Sequence, residues 1–238
     1  MNDRNMLLGI LGGLGPMATV YFYEMLTSHT VAATDQDHID IILSSRATTP
    51  DRTAFIIGKS DENPLPIMKN EAKRLENAGA DLIVMPCNTA HYFIDGIRES
   101  ISVPMLDIIE ETCRKCAENG IGKVGLLATE GTVSTGSYQK RAEKYGIEIV
   151  VPDKVDQKTV SSIIYDTIKN GKSADMKQFS RPVESLVGQG CEKIILGCTE
   201  LSLIKKQERL GSFFTDSLEV LAEQTILACK KTPKDFDF

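Results

Sequence analysis

Two cysteines, Cys87 and Cys198, stand in matching surroundings that suit a reactive thiol. In the stretch Asp81 to Arg98, DLIVMPCNTAHYFIDGIR, Leu82 to Met85 form a short apolar run with a β-branched pair, and Pro86 cannot donate to a sheet ladder. A buried strand therefore stops there, and Cys87 sits on the turn. Asn88 or Thr89 is placed to cap a helix running through His91, Phe93, Ile94 and Ile97, so unpaired backbone N–H groups surround the thiol. Such a position favours negative charge, on the sulfur and on a bound carboxylate alike. The pKa of a thiol there is expected to fall from its free value of about 8.5, making it a working thiolate. Glu192 to Glu200, EKIILGCTE, repeats the layout: an apolar strand, Gly197, then Cys198, Thr199, Glu200 and a helix-like run from Leu201. Each cysteine is followed within two residues by a threonine, which suggests two thiols facing one ligand.

Strands and helices must alternate to present these turns together. Met6 to Leu11 reads as a strand, Gly12-Gly13-Leu14-Gly15-Pro16 as a turn, and Pro16 as the first position of a helix reaching about Thr30. Ile39 to Leu43 is a second strand leading into a polar loop, Ser44 to Thr53. Pro66 to Ala78 is an amphipathic helix with Gly79 as its stop. After the Cys87 unit come a short strand at Val103 to Leu106 and a helix at Glu110 to Glu118.

At Lys123 the pattern starts again. Gly125 to Thr132 lines up with Gly9 to Pro16 at a shift of 116 residues, and Cys198 follows Cys87 by 111. Two similar halves are read from this, a repeat of fold with little identity. The second half continues with a helix at Ser134 to Tyr145, a strand at Ile147 to Val151 and a helix at Gln157 to Lys169. A helical stretch from Ser173 to Gly188 is expected to be interrupted at Pro182. Phe213 to Thr215 is a last strand, and Asp216 to Glu219 opens a final helix that packs back on the first half. The fold class is α/β: two parallel-sheet βαβ domains related by a pseudo-two-fold. Residues 1–105 plus 215–238 form the domain with Cys87, and 106–214 the domain with Cys198. Ligands in such folds bind at the carboxyl ends of strands, where Gly12 to Gly15, Cys87, Ala128 to Thr132 and Cys198 all fall. The site is expected in the cleft between the domains.

Composition narrows the function classes. The chain has 238 residues, 42% hydrophobic and 25% charged, ordinary for a soluble enzyme. A net charge of −6 argues against a general affinity for nucleic acid, and the late lysines from Lys205 to Lys234 read as a solvated face. No apolar run approaches the roughly 18 to 20 residues of a membrane span, and Leu7 to Leu11 reads as a strand rather than a leader, so a cytoplasmic protein is expected. Six cysteines are too sparse for a disulfide scaffold. Cys113, Cys116, Cys191 and Cys229 read as core residues, and the Cys113-Arg-Lys-Cys116 spacing lacks the partners of a metal site. His91 reads as a buttress of the Cys87 turn. Gly13 to Ala18 satisfies a G-x-G-x-x-A dinucleotide pattern, but the next strand ends in Ser44-Ser45-Arg46 where an acidic residue belongs, and nucleotide binding would leave both strand-end cysteines unexplained.

Five motifs in order, GILGGLGPMAT, PDRT at Pro50 to Thr53, MPCNTAH at Met85 to His91, LLATEGT at Leu126 to Thr132 and GCTEL at Gly197 to Leu201, resemble the cofactor-independent aspartate/glutamate racemase family, closest to its aspartate branch. The resemblance covers nearly the whole chain. It implies a two-domain α/β homodimer that inverts the α-carbon of an acidic amino acid with neither pyridoxal phosphate nor metal. In this family one cysteine removes the α-proton and the other returns a proton on the opposite face, which implies those roles for Cys87 and Cys198. The chemistry suits cysteine, whose free pKa lies within reach of neutrality. By the same resemblance Asn88, Thr89, Thr132 and Thr199 bind the α-carboxylate and ammonium. Arg52 and Lys169 hold the side-chain carboxylate, and Asp51 and Tyr165 line that pocket. Glu200 supports Cys198, and Gly12 and Gly13 support the first turn. The implied substrate is aspartate. The alternatives are glutamate, a broader amino-acid range, or a dicarboxylate-binding protein without turnover on the same scaffold.

Overall fold

A computed structural model of the protein describes residues 5–236. Glycine-bounded apolar runs become the central strand of each of two parallel sheets. In the first, β1 (Leu7–Gly12) lies between β2 (Asp40–Ser45) and β3 (Leu82–Val84). It carries α1 (Pro16–Ser28), α2 (Arg52–Ile56), α3 (Leu65–Asn77) and α4 (Ile94–Arg98), followed by α5 (Ile108–Glu118). In the second, β4 (Lys123–Leu127), β5 (Glu148–Val150), β6 (Lys193–Leu196) and β7 (Phe214–Asp216) are ordered β5-β4-β6-β7. Its helices are α6 (Glu130–Ser134), α7 (Ser137–Ala142), α8 (Lys154–Ser162), α9 (Met176–Gly188), α10 (Thr199–Glu208) and α11 (Ser217–Ala228).

Met105 makes an isolated parallel bridge to Ile83, which gives the first sheet the position that β7 fills in the second. Both halves thus repeat one strand order, as the internal repeat predicts. The expected strand at Val103 to Leu106 shrinks to this bridge: Ile83 N donates to Pro104 O and Leu106 N to Ile83 O, but Pro104 itself has no N–H to extend the ladder. The expected helix at Ser134 to Tyr145 is broken at Gly136, whose φ of 61° separates α6 from α7. Pro182 does not interrupt α9, which runs from Met176 to Gly188 with Phe179, Pro182 and Leu186 buried. The second sheet runs on to Asp216, past the change-over expected at residue 215.

Apolar packing joins the halves. Leu8 and Ile10 of β1, Phe22 and Met25 of α1, Ile109 of α5, Leu126 of β4 and Leu221 and Ile226 of α11 belong to one buried cluster. The last helix therefore packs back against α1, as expected, and against α5 as well. Among the described residues no helix is long and apolar enough to cross a membrane.

Candidate active site

The Cys87 turn is tight and tied from behind. Cys87 N donates to Met85 O at 2.8 Å, and the chain then enters a 3-10 turn, Thr89–Phe93, ahead of α4. The Ala90 N–H reaches the Cys87 sulfur. His91 secures the turn: its Nδ1 lies 2.7 Å from Cys87 O, and its Nε2 is 3.2 Å from Ile108 N. A backbone N–H only donates, so Nε2 accepts and Nδ1 carries the proton. Burial pushes the His91 pKa down and keeps the ring neutral, in line with a buttress rather than a proton donor. On the other side, Cys198 is the extended residue that opens α10, with φ −142° and ψ 128°. Its Sγ donates to Glu200 Oε2 at 3.0 Å, and the Glu200 N–H reaches the same sulfur.

Both cysteines line one small chamber between the halves, together with Asp51, Arg52, Asn88, Thr89, Tyr165, Lys169, Thr199 and Glu200. Leu14, Thr53 and Thr129 line it too; each lies within one of the five motifs, where it was assigned no role of its own. Thr132 stands behind Thr129 in a triangle of Thr89, Thr129 and Thr132 hydroxyls spaced 2.8, 3.0 and 3.1 Å apart. Gly12 is not in the chamber wall. Gly13 lines a larger adjoining cavity, and its φ of 83° with Arg46 backbone 2.5 Å from a would-be Cβ explains why only glycine fits there. Thr129 carries a sequence signal of its own, since it caps α6 by accepting from Thr132 N directly after a strand.

The chamber is closed. Its free volume is about 10 Å³, enough for one water at most. Tyr165 OH donates to Thr53 Oγ1 at 2.8 Å across the cleft. Tyr165 does not lie on the regular helix expected for Gln157 to Lys169, because α8 gives way to a π turn at Ile163–Thr167 and a 3-10 turn at Ile168–Asn170. Tyr165 and Lys169 nonetheless face the chamber together, with Lys169 Nζ 4.3 Å from the Tyr165 ring centroid.

Charge is arranged unevenly around the thiols. Arg52 is buried, and its guanidinium donates to Thr49 O at 3.2 Å, Pro50 O at 3.1 Å and Leu14 O at 2.8 Å. Of five N–H groups, two remain, including a buried Nε without a partner among the described residues. Lys169 Nζ is 3.9 Å from Glu200 Oε1. Burial pushes both thiols up, overturning the expectation of lowered values, because loss of water outweighs the N–H groups of the helix ends. Arg52 pulls Cys87 back, whereas Glu200 drives Cys198 further up.

Asn88 is held at both ends. Its Oδ1 accepts from Tyr138 OH at 2.7 Å, its Nδ2 donates to Ser217 Oγ at 2.9 Å, and Ser217 Oγ donates to Leu196 O at 2.8 Å. The side chain links the Cys87 turn to the end of β6. Its bonds are those of a strut, although one edge faces the chamber.

A pair of strand-end thiols in a cleft between two similar α/β halves can serve proton transfer to opposite faces of one carbon. A sequence model of the Asp/Glu/hydantoin racemase family matches residues 11–225. The chain belongs to that family. Aspartate racemase of Picrophilus torridus is 33% identical, covers 96% of each chain and superposes with a TM-score of 0.80. A Yersinia pestis structure described as an Asp/Glu racemase is 29% identical over 94% of this chain and 99% of that one, with a TM-score of 0.81. The broad-specificity amino-acid racemase RacX of Bacillus subtilis is 29% identical over 226 residues, 92% of this chain and 96% of its own. As a racemase-family member, the protein has the two-domain α/β fold of these relatives, with its thiol chamber at the strand ends of both sheets.

Proposed function

We propose that the protein interconverts L- and D-aspartate by a two-thiol mechanism that needs no pyridoxal phosphate. The observation that carries this reading is the shared chamber: two buried cysteines, one from each half, beside an Arg52 edge with N–H groups still to be satisfied. A carboxylate accepts two N–H groups from one guanidinium, so Arg52 suits the aspartate side chain. Thr89 and Thr199, which line the chamber, supply hydroxyls that suit the α-carboxylate and ammonium.

In the reactive form one sulfur is a thiolate and the other a thiol. Proximity to Arg52 makes Cys87 the better seat for the charge, while Cys198 keeps its proton towards Glu200. The Cys87 thiolate takes the α-proton from one face and becomes a thiol, and Cys198 gives its proton to the other face and becomes a thiolate. The opposite enantiomer runs the same steps backwards. The intervening carbanion gains from helix-end N–H groups in a site that excludes water.

Incorporation of solvent deuterium at the α-carbon of either aspartate enantiomer, without added cofactor, tests the reading. Cys87→Ala and Cys198→Ala are each expected to lower racemisation by about 10²–10⁴-fold, the usual worth of a proton-transfer group, with melting temperature retained. Near-normal turnover in either variant would falsify the two-thiol assignment, and a ligand-induced thermal shift without exchange would mark a binding protein instead. A broader substrate range is a second reading, favoured by the larger cavity that adjoins Arg52.

A further inference from the structure

Two helices far from the cysteines, α8 and α9, pack against each other, and each carries two basic residues one turn apart: Lys154 and Lys158 on the first, Lys177 and Arg181 on the second. A cavity of about 530 Å³ between them is lined by Lys158, Thr159, Ser162, Lys177, Gln178 and Arg181, with no carboxylate among the six. This local excess of positive charge stands on a chain of net charge −6. Lys158 and Lys177 form no ion pair among the described residues. The buried Asp156 lies with Oδ1 3.0 Å from Arg181 Nε; it offsets part of that charge and anchors the guanidinium, whose Nη groups have no protein partner among the described residues. A second cavity, of about 660 Å³, shares Lys158 and Ser162 with the first and runs on to Val133, Pro152 and Tyr165. There Glu130 and Asp166 balance Lys59 and Lys154. Gln157 lines this second space, and its Oε1 is buried without a donor among the described residues.

We propose that the two cavities form one site for a small phosphate monoester, with the phosphate at Lys158, Lys177 and Arg181 and a hydroxylated body beside Pro152 and Tyr165, and that its occupant braces the π turn. A carboxylate is satisfied by a single cation. A phosphate brings up to two charges and three free oxygens, which match a guanidinium fork, two ammonium groups and the Thr159 and Ser162 hydroxyls. The body must donate, because Gln157 Oε1 lacks an N–H or O–H partner. A long polyanion is disfavoured, since Glu130 and Asp166 stand in the second cavity beyond Lys158. Two side chains connect the site to the thiol chamber. Tyr165 lines both spaces and donates to Thr53 Oγ1 at 2.8 Å, and Gln157 Nε2 donates at 2.9 Å to the carbonyl of Ala128, next to Thr129 of the chamber wall. An occupant therefore holds Ile163–Thr167 from its outer side.

Isothermal titration of the whole protein with glucose 1-phosphate is expected to show one saturable site. Each exposed charge contact is worth up to about fivefold, so Lys158→Glu/Lys177→Glu should weaken that binding by about tenfold or more. Both lysines are exposed, and the variant should keep its melting temperature. If it does not fold, Lys158→Gln/Lys177→Gln takes its place, with the same direction of change. Inorganic phosphate should bind more weakly than the glucose ester, because it leaves the second cavity empty. With glucose 1-phosphate at ten times its Kd, amide hydrogen exchange of Ile163–Thr167 should slow by about tenfold. Absence of saturable binding, or binding undiminished in the variant, overturns the site. Inorganic phosphate held as tightly as the ester overturns the part given to the second cavity, and amide exchange unchanged on binding overturns the bracing of the π turn. Neither measurement uses turnover, so each outcome stands apart from the racemase reading.

Discussion

Cys198 hydrogen-bonds a carboxylate, an uncommon partner for a thiol proposed to give up its proton. The Glu200 charge raises the cost of a thiolate on Cys198 and accepts its S–H at 3.0 Å, so the resting site stores its proton there. Removing that charge lowers the Cys198 pKa, because an adjacent anion disfavours ionisation of an acid. Glu200→Gln is therefore expected to move the alkaline limb of the kcat/KM–pH profile to lower pH for both aspartate enantiomers. A profile unmoved on the pH axis would show that Glu200 does not govern Cys198. Both thiols stand above their ordinary values, so in the unaltered protein the rate should climb as pH rises past neutrality. The pair of strand-end cysteines was legible in sequence because their surroundings are duplicated. The placement of Thr53 and Thr129 was not, since a threonine in the first turn of α2 or at the cap of α6 looks alike whether or not folding brings it to a site.

The elements that aim the thiols are short, and this is where sequence and structure part. A helical period cannot reveal that Gly136 takes φ 61° or that Ile163–Thr167 winds as a π turn, because both are settled by what the segment packs against. Nor does it reveal the chain of bonds Tyr138–Asn88–Ser217–Leu196, which joins four elements and holds the Cys87 turn to the strand before Cys198. Tyr138→Phe would leave Asn88 Oδ1 buried without its donor, at about 1–3 kcal/mol of stability. If Asn88 acts as a strut, Tyr138→Phe and Asn88→Ala should both lower kcat with KM little changed. Combined, they should fall short of the sum of their effects, as residues of one network do. Steady-state kinetics and thermal melts of the single and double variants supply the comparison. A rise in KM alone for Asn88→Ala would return Asn88 to the role of substrate ligand.

The two halves share an apolar core and are joined across the cleft by the Tyr165–Thr53 hydrogen bond. The repeat of strand order was readable because two glycine turns recur 116 residues apart; the Tyr165–Thr53 bond was not, because its partners are 112 residues apart and meet only in the folded chain. The halves approach closely at Gly131, where an added Cβ would lie 2.9 Å from Thr53 Oγ1, 3.0 Å from Thr53 Cα and 3.1 Å from Thr89 Cγ2. The first two contacts belong to α2 and the third to the Cys87 turn, so a methyl group there is a wedge between the halves. The exposed Lys59–Glu130 pair at 4.0 Å spans the same gap and contributes at most about 1 kcal/mol, too little to pull the wedge shut. Gly131→Ala is expected to cost about 1–3 kcal/mol by overpacking. In the proposed two-thiol mechanism proton transfer depends on the reach of both sulfurs to one carbon, so the variant should also lower kcat for both enantiomers, while the shared apolar core keeps the fold cooperative. Melting curves and racemisation rates measured side by side check both parts. Unchanged kcat with alanine at 131 would mean that the halves need not close this far for catalysis.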